Sequence, residues 1–296
     1  FKEYVGELNI FKIEGYDRSL LKGIGIFGPN GSGKSNVLRA ISMLQTIVVY
    51  GRRTDRNSKN DLFEDVIPFQ FSEETREKPS RFQVEFIADK KRFNYSVELD
   101  KYLIYAEKLY VFQNGKRNLI YRTELKEKEK KKYKMFFGNK LSDAQIEALN
   151  KVGEWIGGDT FLKTIARENN DQVEFIKPVY EWFKEIITIT PYSSARNFGF
   201  KVGVDLIKRK NKNIINFMKL ADIAIDDIVV EKGEDQDQLY FVYDVSQGEN
   251  GRIPFEEEST GTKRLFQLAA EFIFAATLSE KSVLIFDEIG SELHRE

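Results

Sequence analysis

Three short stretches of this sequence place residue types at spacings that suit phosphate chemistry. In "GPNGSGKS", residues 28–35, Gly28, Gly31 and Gly33 precede Lys34 and Ser35. This is the G-x-x-x-x-G-K-[ST] pattern. Its glycines let successive backbone N–H groups turn inward on phosphate oxygens. Its lysine reaches the β- and γ-phosphates, and its hydroxyl ligates Mg²⁺. Gly28, Pro29, Asn30, Gly31, Ser32, Gly33, Lys34, Ser35 and Asn36 are therefore the expected nucleotide-binding residues, with ATP and Mg²⁺ as ligands and Lys34 as a catalytic candidate. In "VLIFDE", residues 283–288, an apolar strand delivers two acids at its carboxyl end, where open α/β sheets place ligands. Asp287 suits the magnesium shell beside Ser35, and Glu288 suits a group that orients or deprotonates an attacking water. The third stretch, "EEESTGTKRLFQLAAEF" (256–272), sets a hydroxyl–glycine–hydroxyl step between an acidic run and an amphipathic helix. Two readings stand for it: Ser259 or Thr260 as a helix N-cap, and a glycine-containing helix N-terminus as a phosphate binder.

These residues need elements to hold them. "LLKGIGIF" (20–27) reads as a strand and "SNVLRAISMLQTIVV" (35–49) as a helix, so the glycine-rich loop sits between strand and helix. From 81 to 123, "RFQVEFIA", "RFNYSVEL", "LIYAEKLYVF" and "RNLIYRT" alternate at period two. Asp89-Lys90-Lys91, Asp100-Lys101 and Asn114-Gly115 separate them, and the spacing predicts an antiparallel meander. From Glu124 the chain turns charged and then helical. "ELKEKEKKKYK" reads as a solvated segment, and "SDAQIEALNKVGEWI" opens with the N-cap candidate Ser142. "QVEFIKPVYEWFKEIITI" continues the helical pattern. Short strands return at "IDDIVVEK" and "LYFVYDV", followed by the capped helix to about Leu278 and the strand "SVLIFD". The expected fold is α/β with a mixed sheet, divided into an N-terminal lobe (1–123), a helical insertion (124–190) and a C-terminal part of the core (191–296).

Composition removes several classes. With 31% charged residues and a net charge of −1, the chain has no global basic field, so any nucleic-acid binding must use a local patch. It has no cysteine and a single histidine, His294, which excludes disulfides, thiolate sites and a histidine-rich metal centre. No apolar run reaches the roughly 18 residues of a spanning helix, and no signal peptide is visible, so the expectation is a cytoplasmic protein without a membrane partner. The chain begins with Phe1 and stops shortly after an apolar strand, and both ends read as cut.

Most of the chain separates Lys34 from Asp287. A long interruption by an antiparallel meander and a helical region resembles the ATP-binding-cassette ATPases, not a compact GTPase or small-molecule kinase. "GPNGSGKSNVLRAI", "IPFQFSEETREKPSRFQVEFI", "AEKLYVF", "TFLKTIARENNDQVEFIKPVYEWF", "EESTGTKRLFQLA" and "SVLIFDEIGSELH" resemble, within that class, the abortive-infection and overcoming-lysogenization-defect type, relatives of the SMC and RecF heads. The resemblance implies that Ser259, Thr260, Gly261 and Thr262 form a signature motif acting on the nucleotide of a second protomer, so that ATP joins a homodimer. It implies a Q-loop glutamine, for which Gln70 is the candidate, as a metal ligand or else a plain strand residue. "GSELH" (290–294) stands where the D-loop would be, and His294 lies too close to Glu288 to be the family's switch histidine. Nothing resembles the nuclease domain that follows the ATPase in some relatives. The function implied is an ATP-hydrolysing sensor or regulatory subunit of an anti-phage defence system, controlling an effector such as a nuclease or toxin. The alternative is a DNA-repair head acting directly on DNA. A higher oligomer and nucleic acid stay open as partners.

Overall fold

The period-two segments pair in chain order in the computed structural model, which describes residues 9–13, 19–51, 66–128, 132–153, 159–168, 173–189, 198–233, 237–245, 249–278 and 283–287. The chain divides into two units, Phe1–Lys184 and Glu185–Glu296.

The first unit opens with a small antiparallel pair, β1 (Ile10–Lys12) and β2 (Ser19–Leu21). Helix α1 (Lys34–Gln45) follows the glycine-rich loop and runs into one π turn, Thr46–Tyr50. A short helix α2 (Glu73–Arg76) precedes the meander: β3 (Ser80–Ala88), β4 (Lys91–Leu99), β5 (Ile104–Gln113) and β6 (Lys116–Glu127). Its tight turns use positive φ at Asp89 and Lys90 (46° and 58°) and at Asn114 and Gly115 (50° and 72°), the twist that two-residue hairpins require.

A fifth strand, β7 (Lys132–Phe137), completes the antiparallel order β3-β4-β5-β6-β7. The charged segment after Glu124 is therefore the end of one strand and the start of another, where a solvated stretch leading into helix was expected. Cross-strand pairs of opposite charge, Glu124 facing Lys134 and Glu127 facing Lys132, suit that pairing. Helices α3 (Asp143–Gly153), α4 (Phe161–Arg167) and α5 (Ile176–Lys184) follow. Ser142 caps α3 as expected: Gln145 N–H donates to Ser142 Oγ at 3.3 Å, while Ser142 N–H donates to Gln145 Oε1 at 2.9 Å. One sheet face carries the core (Phe93, Tyr95, Val97, Leu109, Val111 and Tyr121), on which Phe161 of α4 and Trp182 and Phe183 of α5 pack.

The second unit begins with a correction. "IITI", read as the tail of a helix, is β8 (Ile186–Ile189), which pairs in parallel with the last described strand, β12 (Val283–Phe286). Periodicity cannot separate a short apolar run in a buried strand from a helix end; the β-branched residues suit the strand, and a distant partner realises it. Between them lie α6 (Phe198–Lys208), α7 (Asn213–Leu220), β9 (Asp227–Glu231), β10 (Gln238–Val245), β11 (Glu249–Pro254) and α8 (Thr260–Leu278). Strands β9 to β11 form an antiparallel sheet in the order β11-β10-β9. Ile214, Met218, Phe241, Phe266, Ala269 and Ala270 form the centre of this unit's core. Gly203 lets α6 approach α8 closely, because a Cβ there would collide with the Phe266 ring.

Candidate nucleotide site

The glycine-rich loop is exposed and α1 starts at Lys34, directly after it. Gly33, the N-cap residue, has φ 92°, and Gly31 has φ 79°, left-handed conformations that strain any residue with a Cβ. A Cβ at Gly28 would fall 2.9 Å from Ser32 Oγ. The N-cap residue of α1, being glycine, offers no side-chain acceptor to the first turn. Ser32 N–H donates to Pro29 O at 3.2 Å, and Asn36 and Val37 N–H both donate to Gly33 O, at 3.0 and 3.3 Å. Lys34 Nζ donates to Gly28 O at 2.8 Å and Pro29 O at 2.9 Å, so the ammonium folds onto the loop. Left-handed glycines, a helix start with a glycine N-cap and an ammonium within one loop are the donor set that suits a polyphosphate.

The strand expected ahead of the loop is shorter than the sequence implies. Pairing stops at Leu21, and residues 23–29 lie outside any strand, with Ile24, Ile26 and Phe27 exposed. Asn9 accounts for the stop: its Oδ1 accepts from Gly23 N–H at 2.9 Å and its Nδ2 donates to Gly23 O at 3.1 Å, taking both backbone groups that a ladder would use. Gln70, in the same unit, stands in a turn and donates from Nε2 to Pro68 O at 2.8 Å.

In the second unit, Asp287 follows β12, at the carboxyl end of a parallel pair, as the apolar run implies. The start of α8 is exposed at Ser259 and Thr260. Ser259 Oγ accepts from Thr262 N–H at 3.0 Å and lies 2.8 Å from Thr262 Oγ1. The capping reading of this stretch is thus realised, with Ser259 and not Thr260 as the cap. The capping bond uses a lone pair of the Ser259 oxygen, and either hydroxyl can donate in the Ser259–Thr262 contact, so capping and a phosphate-binding role are not exclusive. Glu288, the D-loop candidates (290–294) and His294 lie outside the described residues.

Over residues 24–295 the chain matches the protein family described as "AAA domain, putative AbiEii toxin, Type IV TA system". The chain belongs to this family. None of the curated proteins compared with it matches. It is a P-loop ATPase-type domain, and its mixed α/β architecture with a five-stranded antiparallel sheet fits that class. No helix among the described residues is long and apolar enough to cross a membrane, and none of them form a group of three or more His, Cys, Asp or Glu that could hold a metal.

Sequence reasoning missed three sets of buried polar groups, two in the first unit and one in the second. Lys163 Nζ on α4 donates to Tyr50 O at 2.7 Å and to Asp159 Oδ1 at 3.0 Å, tying down the carbonyl end of the π turn that extends α1. Gly51 (φ 64°) leaves room for this ion pair, with which a Cβ would collide. Gln45 Nε2 reaches Phe183 O at 2.9 Å, fixing α1 against α5.

Glu107 of β5 is buried at the N-terminus of α4. Its oxygens accept from Phe161 N–H (2.6 Å), Leu162 N–H (3.0 Å), Tyr121 OH (2.7 Å) and Tyr95 OH (3.1 Å). Burial raises its carboxyl above the ordinary value, while those donors pull it back down. The signal was present: Glu107 sits at an inward position of an otherwise apolar alternation.

On α8, Arg264 and Glu271 are buried together with 3.8 Å between Nη1 and Oε2. Burial raises the Glu271 carboxyl, opposed by Arg264. Their i, i+7 spacing places them on one helix face, but nothing in the sequence marks that face as buried.

Proposed function

We propose that the chain is an ATP-hydrolysing head whose nucleotide cycle regulates an effector, such as a nuclease or toxin, in a cytoplasmic anti-phage defence system of the overcoming-lysogenization-defect kind. The observation that carries it is the exposed loop of left-handed Gly31 and Gly33 directly ahead of α1, with Lys34 folded over that loop. The family description, which names a toxin of a toxin–antitoxin system, supports the link to a toxic output.

In this reading Gly28–Asn36 hold the phosphates of ATP, and Ser35 and Asp287, with Gln70 as third candidate, hold Mg²⁺. Bound Mg²⁺ would neutralise charge on the β- and γ-phosphates. Lys34 donates to phosphate oxygens in place of Gly28 O and Pro29 O. Glu288 orients the attacking water or accepts its proton. Ser259–Thr262 serve the nucleotide of a second copy of the chain, so ATP joins a homodimer and hydrolysis requires association.

Two measurements test this. Glu288→Gln should retain ATP and slow hydrolysis by about 10²–10⁴-fold, the usual contribution of such a group; turnover at the wild-type rate would remove Glu288 from the mechanism. Lys34→Ala and Gly261→Asp should each be inactive alone, and a mixture should regain part of the activity. In a mixed dimer, one site pairs an intact loop with an intact α8 start. Full turnover by Gly261→Asp alone would leave the α8 start as a helix cap and nothing more.

A further inference from the structure

The ring contacts of the five-stranded sheet with α4 and α5, and the bonds of Glu107 to α4, all lie on one face of the sheet. By alternation, the residues between its core positions point the other way. In register, that face sets Arg92 opposite Phe112, Asn94 opposite Tyr110, Lys108 opposite Arg122, Phe112 opposite Arg117, and Arg122 opposite Phe136. Cations and rings thus alternate across contiguous strands. The guanidinium of Arg92 lies 4.1 Å from the Phe112 ring centre, that of Arg117 4.4 Å from Tyr110, and that of Arg122 4.3 Å from Phe136; Lys134 Nζ lies 4.9 Å from Phe136. All three rings are half-exposed. Carboxylates answer part of this charge: Glu85 pairs with Arg92, and Glu124 with Arg122 at 3.2 Å and Lys126 at 2.9 Å. With Glu98 also counted, cations still outnumber acids on this face, in a chain whose net charge is −1.

We propose that this face is a docking platform for single-stranded DNA. Its phosphates pair with Lys108, Arg117 and Lys134, and its bases stack on Tyr110, Phe112 and Phe136 or on the guanidinium planes above them. A duplex keeps its base faces stacked inside and offers this surface phosphates alone, so the rings favour an unpaired strand. Asn94 and Ser96 of β4 are buried, and the exposed Gln83 beside them on β3 is tied through Nε2 to Asn94 Oδ1 at 3.3 Å and through Oε1 to Arg81 at 3.0 Å, so none of the three is aimed at a 2′-hydroxyl. Deoxyribose loses nothing by packing on the rings, whereas ribose brings a hydroxyl that must be desolvated. The platform is independent of the nucleotide reading, because its residues are separate from the glycine-rich loop.

Fluorescence anisotropy with a fluorescein-labelled oligothymidylate of about 20 nucleotides, longer than the roughly 4–16 nucleotides of common single-strand sites, tests it without ATP. At about 50 mM salt the strand should bind more tightly than a duplex of equal length and at least as tightly as the same sequence in RNA. Arg117→Glu combined with Lys134→Glu, both at exposed positions, should weaken binding about tenfold or more. The pair should also flatten the salt dependence by about 0.7 in log–log slope for each phosphate left without its cation. Phe112→Ala should weaken binding about fivefold or more, because one base loses its stacking ring. Lys219→Glu, an exposed cation of the other unit, should change nothing. The proposal is overturned by absence of binding, by equal or tighter binding of the duplex, by a preference for RNA, or by an unchanged affinity in the Arg117/Lys134 pair. That surface pair decides the matter even if Phe112→Ala fails to fold.

Discussion

Two helix starts in the same unit show opposite solutions to one electrostatic problem. The first-turn N–H groups of any helix lack intrahelical partners and carry partial positive charge. At α4 the protein supplies the acceptors itself. Glu107 takes the amides of Phe161 and Leu162, and Thr160 takes that of Lys163 at 3.2 Å, all in a buried setting. At α1 the N-cap is a left-handed glycine with no side chain to offer, and the preceding loop is exposed. A buried carboxyl closes one helix; the N-cap of the other brings no acceptor of its own. The start of α8 lies between these extremes, exposed but with Ser259 on the Thr262 amide. Composition of the first turn does not separate the three cases. What sets α4 apart is a carboxyl that reaches its amides from another element.

The largest effect expected from this contrast is at α1. Lys34→Ala should remove ATP binding from the calorimetric range while leaving the unfolding midpoint of the protein nearly unchanged, because the bonds of the ammonium among the described residues go to exposed loop carbonyls. Wild-type affinity in that variant would break the comparison at its open end.

At the closed end the expectation is reversed. Glu107→Gln should leave ATP affinity intact but cost about 1–3 kcal/mol for each donor it strands, since an amide NH₂ cannot accept from Phe161 N–H. Chemical denaturation reads this, and an unaltered midpoint would mean that α4 finds its acceptors elsewhere.

Ser259→Ala is the intermediate case. Loss of the cap should cost about 0.5–2 kcal/mol. If ATPase activity falls well beyond what that instability explains, the α8 start serves a ligand as well as its own helix.

The smallest effect is in the pH dependence. Because burial raises the Glu107 carboxyl above its unfolded value, its contribution to stability is fullest in acid, below the ordinary carboxyl range, and declines as pH rises through the raised value. Glu107→Gln, which does not titrate, should lack that decline. Parallel stability–pH curves for the two proteins would show that the donors around Glu107 cancel the effect of burial.

Local signals were reliable where the chain interacts with its own neighbourhood. The meander was legible because its strands pair consecutively and its turns fall on residues tolerant of positive φ, such as Asn114-Gly115. Ser142 and Ser259 were legible as caps because their partners lie three residues on. The errors fall where distant segments decide. β7 needed β6, β8 needed β12 at the other end of its unit, and the strand before the loop was cut short by Asn9, fourteen positions away from Gly23 in sequence.

By itself, the sequence determined the glycine-rich loop ahead of a helix, the alternating sheet and the capped helix starts, because glycine conformation, strand period and three-residue capping are properties of neighbouring residues. Tertiary structure alone decided that Glu107 would close α4, that Lys163 would hold the end of the π turn after α1, and that Arg264 and Glu271 would be buried together. Each depends on where a second element lies in space, and a buried polar group must find its partner there or carry the cost of desolvation.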